Sequence, residues 1–335
     1  MKLLFIGGTG LISGACAAMA LERGHELTIV RRGSRRASPD PVGARVISVD
    51  AREDPGALDE ALGTSRYDAV VDWVAFKVGD VESDLRLFRG RTDQLVVISS
   101  ATVYQRPPAH YRVDEDAPLG NPFWQYARDK IACEERLWHE HRLTGFPVTV
   151  VRPSLTYGPP QIPLCVGSWE HPWTVIQRMR DGRKVIVPGD GTSLWTLTWN
   201  EDFAAGLLGL LGRHEATGRA FHVTSDEVLT WEEIYRVAAE EAGARPHLVH
   251  LPSDLIASLD PSMRESLHGD KMHSIVFDTS RLRALVPDFR PQVRWREGVR
   301  RCLRWFEADS ARQTVDAAAD ERWDRMIAAY ERAFP

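Results

Sequence analysis

The first two dozen residues read as strand, turn and helix, and this constrains the chain more than any other feature. Lys2–Ile6 is a short apolar run that breaks at Gly7-Gly8-Thr9-Gly10, and residues 11–23 then run rich in Ala, Met and Leu up to Gly24. An apolar run of that length bounded by glycine predicts a buried strand. The stretch after it predicts a helix with Gly24 as C-cap. A glycine turn in this setting lets the main chain close in on a ligand, and the helix start presents unpaired N–H groups and partial positive charge. Together they form the pattern that holds the pyrophosphate of a dinucleotide. The expected contacts are Gly7, Thr9, Gly10 and the first helical residues, Leu11 and Ile12. In the spacing G-x-x-G-x-x-G the last glycine is replaced by Ser13, which is small enough for close helix–strand packing, and Gly14 follows.

Alternation continues through the first half. Strands are predicted at 26–30, 45–49, 69–74, 94–99 and 148–151, and helices at 56–62, 81–88 and 126–141. This order predicts an α/β fold, a Rossmann-type doubly wound parallel sheet with helices on both faces, and a smaller C-terminal substrate-binding domain. The second half is less regular. Residues 157–163 read as a loop where the chain leaves the sheet. A helix is expected at 174–180, and a strand at 184–187 that ends in the turn Pro188-Gly189-Asp190-Gly191. Further helices are expected at 202–211, 231–242 and 298–308, and a last sheet strand at 220–223. The expected division is a nucleotide-binding domain, 1–158 with about 196–225 returning to the sheet, and a substrate-binding domain from 159–195 and 226–335.

The bulk properties exclude several classes. With 335 residues, 43% of them hydrophobic, a large core can form. A formal net charge of −5 gives no global support for nucleic-acid binding. Cys16, Cys133, Cys165 and Cys302 are scattered without C-x-x-C spacing, which suits reduced thiols and a cytoplasmic location. No apolar run approaches the roughly 18 residues of a membrane helix, and the apolar N-terminus is too short for a signal peptide. His139-Glu140-His141 lacks the i,i+4 histidine spacing of a zinc helix, and no metal site is expected.

The second strand ends in Val30-Arg31-Arg32, with Arg35 and Arg36 close behind. A site selective for NAD usually places an acidic residue there. Guanidinium pairs bidentately with phosphate, so Arg31 and Arg32 predict a clamp for a 2′-phosphate and hence NADP, with NAD as the alternative cofactor. The competing reading is a solvated basic loop. Asp50, at the end of the third strand and followed by Ala51, either contacts adenine or caps a helix.

Tyr126 and Lys130 are four residues apart and share one helix face. A nearby cation stabilises phenolate and lowers the tyrosine pKa from about 10, which makes the phenol usable as an acid–base group. The lysine can also hold a ribose hydroxyl. The fifth strand ends in Ser99-Ser100-Ala101-Thr102-Val103-Tyr104, and a hydroxyl at a strand's C-terminal end points into the ligand crevice.

With these landmarks the sequence resembles the extended short-chain dehydrogenase/reductases, the NAD-dependent epimerase/dehydratase family. Further matches are residues 68–75, Arg152-Pro153 with Tyr157-Gly158-Pro159, Gly189-Asp190-Gly191-Thr192, and Asp202-Phe203-Ala204. The resemblance covers most of the chain. It implies Tyr126 as general acid/base, Lys130 as its pKa-lowering partner and ribose anchor, and Ser100 as the hydroxyl that polarises the substrate, assisted by Thr102. Val74, Ala75 and Pro153 would line the cofactor. The implied reaction is Tyr-assisted hydride transfer at a carbinol or ketone carbon of a sugar, sugar nucleotide or similar polyhydroxylated small molecule, as epimerisation or net reduction. A homodimer fits the family.

Departures point to an atypical branch. Leu155 stands where sugar-nucleotide epimerases often carry Asn, Trp195 where they often carry a diphosphate-binding Arg, and Asp72-Trp73 replaces His-Leu. These, with Leu194-Trp195-Thr196 and His268-Gly269-Asp270-Lys271, resemble a branch that includes the chloroplast stem-loop-binding proteins. The alternative function is therefore a non-catalytic or RNA-binding, regulatory member of the same fold. Trp169, Trp173, Trp195 and Trp199 either stack on substrate or fill an interdomain core. The arginines of 294–304 read as the polar side of a terminal helix.

Overall fold

Buried on both faces, a parallel strand must be apolar at every position, and the N-terminal strand shows why this chain forms such a sheet. In the computed structural model, which describes residues 1–32 and 41–334, Lys2–Ile6 is β1. Its Leu3 and Phe5 enter one apolar cluster and its Leu4 and Ile6 another, on the opposite face. The partners are β2 (Glu26–Arg31), β3 (Arg45–Ser48), β4 (Ala69–Asp72), β5 (Leu95–Ile98), β6 (Val148–Pro153) and β7 (Arg219–Val223). All seven are parallel, in the order β7-β6-β5-β4-β1-β2-β3. The order reverses between β1 and β4, which opens a crevice at the carboxyl ends of the strands.

Helices cover both faces. α1 (Leu11–Glu22) packs through Cys16, Ala17 and Ala20 against Leu207 and its neighbours on a later helix, Asn200–Leu210. On the other face lie α2 (Pro55–Leu62), α3 (Val78–Phe88) and α4 (Gln125–Thr144), whose Leu58, Leu85 and Leu137 are buried. Each such side chain contributes about 1.5–3 kcal/mol by leaving water.

A third core gathers the later half of the chain around Trp173, Trp231 and Trp295. Trp195 and Trp199 are buried here too, whereas Trp169 is 61% exposed. The strand expected at 184–187 forms as Val185–Pro188, pairs with Leu248–Leu251 and stands outside the main sheet. The helix Ala317–Ala333 was not foreseen. Its buried stripe is narrow, Ala319, Trp323, Met326 and Ile327, and Asp316 caps its first turn. No helix of the described residues is long and apolar enough to cross a membrane.

Candidate active site

The turn after β1 is built from main chain that has no room for side chains. Gly7 sits at φ +87°, and a Cβ there would stand 2.6 Å from Val74 Cγ1. A Cβ on Gly8 would meet Ile29 Cγ2 at 2.9 Å. Gly10 is the N-cap of α1, and its N–H donates to Ser13 Oγ at 2.8 Å. The serine that replaces the third glycine therefore fastens the turn from inside, as the second half of a capping box.

Next to this turn lies a cleft of about 330 Å³ lined by Gly7, Thr9, Gly10, Arg31, Arg32, Asp50, Ala51, Val74 and Phe76, among others. Arg31 ends β2 and lines the cleft; Arg35 and Arg36 lie outside the described residues. Asp50 Oδ1 accepts the N–H groups of Arg52 and Glu53, at 3.0 and 3.3 Å, so it caps a local turn, while Asp54 caps α2. Its second oxygen is 3.8 Å from Arg32 Nε. Asp50 thus lines the cleft and serves as a turn cap at once.

Arg52, which also lines the cleft, is clamped between two buried carboxylates. It donates to Asp84 at 2.8 Å and to Asp72. Burial opposes the Asp72 charge, but its hydrogen bond with Asp84 and the guanidinium hold its pKa below the usual range. Burial and the neighbouring Asp72 push Asp84 well above it. Asp72 replaces the family's histidine, and its partner, Arg52, carried no sequence signal beyond its place after Asp50-Ala51.

The second half of the site lies at the end of β5. Ser100 caps a 3₁₀ turn, Ala101–Val103, and its Oγ accepts from Thr102 N at 3.2 Å and Thr102 Oγ1 at 2.9 Å. Tyr126, in the first turn of α4, hydrogen-bonds Ser100. Its ring lies 6.4 Å from that of Phe76 and 5.5 Å from that of Trp124. Lys130 is buried one turn along, and its Nζ donates to the carbonyls of Ala75 and Ile98 at 2.7 and 2.8 Å. The structure therefore brings Ser100, Thr102, Tyr126 and Lys130 together beside Ala75. Pro153 ends β6 at the same edge of the sheet.

One expected relation needs correcting. Lys130 does not hold the phenol below its ordinary range here. Burial pushes Tyr126 up, and the hydrogen bond with Ser100 opposes it. Burial also pushes the Lys130 ammonium down. The reason is geometric: the ammonium is 5.8 Å from the Tyr126 ring centroid and is spent on two carbonyls.

The model of the NAD dependent epimerase/dehydratase family matches residues 85–224, the stretch that contains Ser100, Tyr126 and Lys130. Over that stretch the chain is similar to the family. Among curated relatives, it is 24% identical over 261 residues to the chloroplast stem-loop binding protein of 41 kDa b from Arabidopsis thaliana, a match that covers 74% of this chain and 65% of that protein. It is 22% identical over 333 residues to a UDP-N-acetyl-alpha-D-glucosaminuronate decarboxylase from Bacillus cytotoxicus, covering 91% of this chain and 97% of the other. Among solved structures, the UDP-glucuronic acid 4-epimerase from Bacillus cereus, in complex with UDP-glucuronic acid and NAD, shares the fold with a TM-score of 0.71. It is 17% identical and covers 92% of this chain and 99% of its own.

The family's other landmarks have structural tasks here. Trp195, where a diphosphate-binding arginine is common, stacks on Trp231 with ring centroids 5.5 Å apart. Arg152 is buried and donates to Glu134 at 2.6 Å, to Tyr104 at 2.8 Å and to the Glu115 carbonyl at 2.8 Å. Tyr104 in turn meets His222, whose Nδ1 side faces the Asp278 carbonyl at 2.8 Å. Phe76 and Trp124, which flank Tyr126, were missed by sequence reasoning. Their only signal was adjacency to Ala75 and Tyr126.

Proposed function

We propose that the protein is an NADP-dependent oxidoreductase or epimerase that acts at a carbinol or ketone carbon of a sugar, sugar nucleotide or similar polyhydroxylated molecule. One observation carries this reading. A glycine cradle that any side chain would fill, and a Tyr126–Ser100–Lys130 group whose lysine is buried, meet at the carboxyl edge of one sheet. Gly7, Thr9, Gly10, Leu11 and Ile12 fit a pyrophosphate at the start of α1. Val74, Ala75 and Pro153 fit the walls of the nucleotide site, Asp50 and Ala51 its adenine end, and Arg31 with Arg32 a 2′-phosphate. Family relatives whose names include UDP-linked sugar acids and NAD support the cofactor class and a sugar nucleotide.

When bound, the nicotinamide supplies or accepts hydride. The chain's own residues handle the proton. Ser100, oriented by Thr102, hydrogen-bonds the reacting oxygen, and Tyr126 gives or takes its proton. A phenol pushed up by burial is protonated at neutral pH and ready to donate. Lys130, anchored on the Ala75 and Ile98 carbonyls, keeps a third N–H donor for a ribose hydroxyl. Four buried free thiols suit a reducing compartment such as the cytoplasm.

Titration of the purified protein with NADPH and NADH, followed by tryptophan quenching, tests the reading. Saturable binding is expected, tighter for NADPH by about ten-fold. Failure to bind either nucleotide contradicts it.

A second reading, RNA binding, rests on the similarity to the chloroplast stem-loop binding protein. The basic helix Trp295–Glu307 offers it little support. Arg296 pairs with Glu240 and Glu241, and Arg300 and Arg301 pair with Glu241 and Glu297. RNA affinity that falls steeply with salt would favour this reading.

A further inference from the structure

Beside Tyr126 the chain makes one π-helical turn, Leu267–Lys271. Such turns put residues out of step with an α-helix and are frequent at functional sites. This one is braced from three sides. Asn121 Nδ2 donates to the Gly269 carbonyl at 2.7 Å and to the Thr102 carbonyl at 2.9 Å, so one amide ties the turn to the Ser100–Thr102 segment. Trp231 Nε1 donates to the Lys271 carbonyl at 2.9 Å. Arg106, whose side chain is fully buried, donates to Asp270 Oδ1 at 3.0 Å. Glycine is required at 269, because a Cβ there would stand 2.9 Å from Trp124 Cβ.

The brace presents Lys271, whose side chain is only 7% exposed. Its ammonium makes no hydrogen bond among the described residues. The nearest carboxylate oxygen, Asp270 Oδ2, is 3.8 Å away, beyond hydrogen-bond reach, and Asp270 is already engaged by Arg106. The ammonium stands 5.7 Å from the Trp124 ring centroid, and that ring is 5.5 Å from Tyr126. Burying a cation is costly unless it is paired and hydrogen-bonded. Two cations, Arg106 and Lys271, face one carboxylate, so positive charge is left over one ring away from the proposed acid–base group.

We propose that Lys271 is the anion-binding residue of the substrate site. It takes a carboxylate or phosphate carried by the substrate close to the carbon whose oxygen Tyr126 serves. This rests on the oxidoreductase reading above. Arg106 and Asp270 are positioning residues: they fix the turn so that the ammonium is set in place before the substrate arrives. A carboxylate and a phosphate both answer an ammonium with charged acceptor oxygens, and Trp124 supplies a flat apolar wall for a sugar ring.

Calorimetric titration of the NADP-loaded full chain with D-glucuronate, D-glucose 6-phosphate and neutral D-glucose tests the site. At least one of the acids should bind about ten-fold or more tightly than glucose. Lys271→Met should abolish that preference without changing glucose binding, and Lys271→Arg should keep it. Preference for glucuronate alone assigns a carboxylate, and preference for glucose 6-phosphate alone assigns a phosphate. Lys271→Gln is the second uncharged variant should Lys271→Met unfold. Acids bound no better than glucose by the wild type, or an unchanged preference in the uncharged variants, would overturn the assignment. NADPH titrated into the same preparations separates the two claims: binding of NADPH without the acid preference removes only the anion site.

Discussion

The two halves of the proposed site are made of different material. The nucleotide half is main chain, folded back on itself within a few residues: Gly7, Gly10 and Ser13 belong to one turn, and Ser13 Oγ closes it on Gly10 N. The proposed substrate side is held by side chains drawn from distant segments. Arg106 reaches Asp270 across 164 positions, and Asn121 reaches Gly269 across 148. The difference follows from what each half must recognise. A pyrophosphate needs only converging N–H groups, which any backbone can supply if nothing blocks the approach. A particular substrate needs particular side chains, and these sit where the fold delivers them.

Substitutions on each side break this contrast in different ways. The largest effect is expected where the halves meet. Tyr126→Phe should lower turnover by about 10²–10⁴-fold. NADPH affinity should stay within about two-fold, and parallel loss of both would show that the phenol only supports the fold. On the nucleotide side, Gly7→Ala forces a side chain into a left-handed turn against Val74. It should cost about 1–3 kcal/mol of unfolding free energy in denaturant titration and weaken NADPH binding more than about ten-fold. Arg31→Ser combined with Arg32→Ser should weaken NADPH about ten-fold and leave NADH within about two-fold. Equal losses would assign the arginines to the general field of the cleft.

The smallest effect concerns His222, the buried partner of Tyr104. Burial holds the His222 pKa down to about 3. Folded His222 stays neutral, whereas the unfolded chain takes up the proton below about 6.5. Stability is therefore lost as pH falls from about 6.5 towards 3, by up to about 1.4 kcal/mol per unit from this group. Unfolding curves from pH 7 to 5 should fall less steeply for His222→Asn than for the wild type. Parallel falls would remove His222 as the source.

The same contrast explains what could be read in advance. The strands, the glycine turn and the Tyr126–Lys130 pair are local patterns, and period and spacing reveal them. Spacing alone misled on Lys130. It places the ammonium on the phenol's face of α4, but the carbonyls of Ala75 and Ile98 that hold it come from other strands' ends. Trp173, Trp195 and Trp199 went to the core and Trp169 to the surface, a division that composition cannot make. His268-Gly269-Asp270-Lys271 stood out as a motif, yet a π turn has no apolar period of its own, so its place beside Tyr126 was invisible. Arg52 stayed hidden for the same reason: Asp72 and Asp84 become its neighbours only once β4 and α3 are folded.

The central claim is that one nucleotide lies against both the glycine turn and the Tyr126–Lys130 face. Amide hydrogen exchange with and without NADPH tests this most directly. Protection should rise together in residues 7–13, 98–104 and 126–130. NADPH binding that leaves these segments unchanged and protects others would contradict the account.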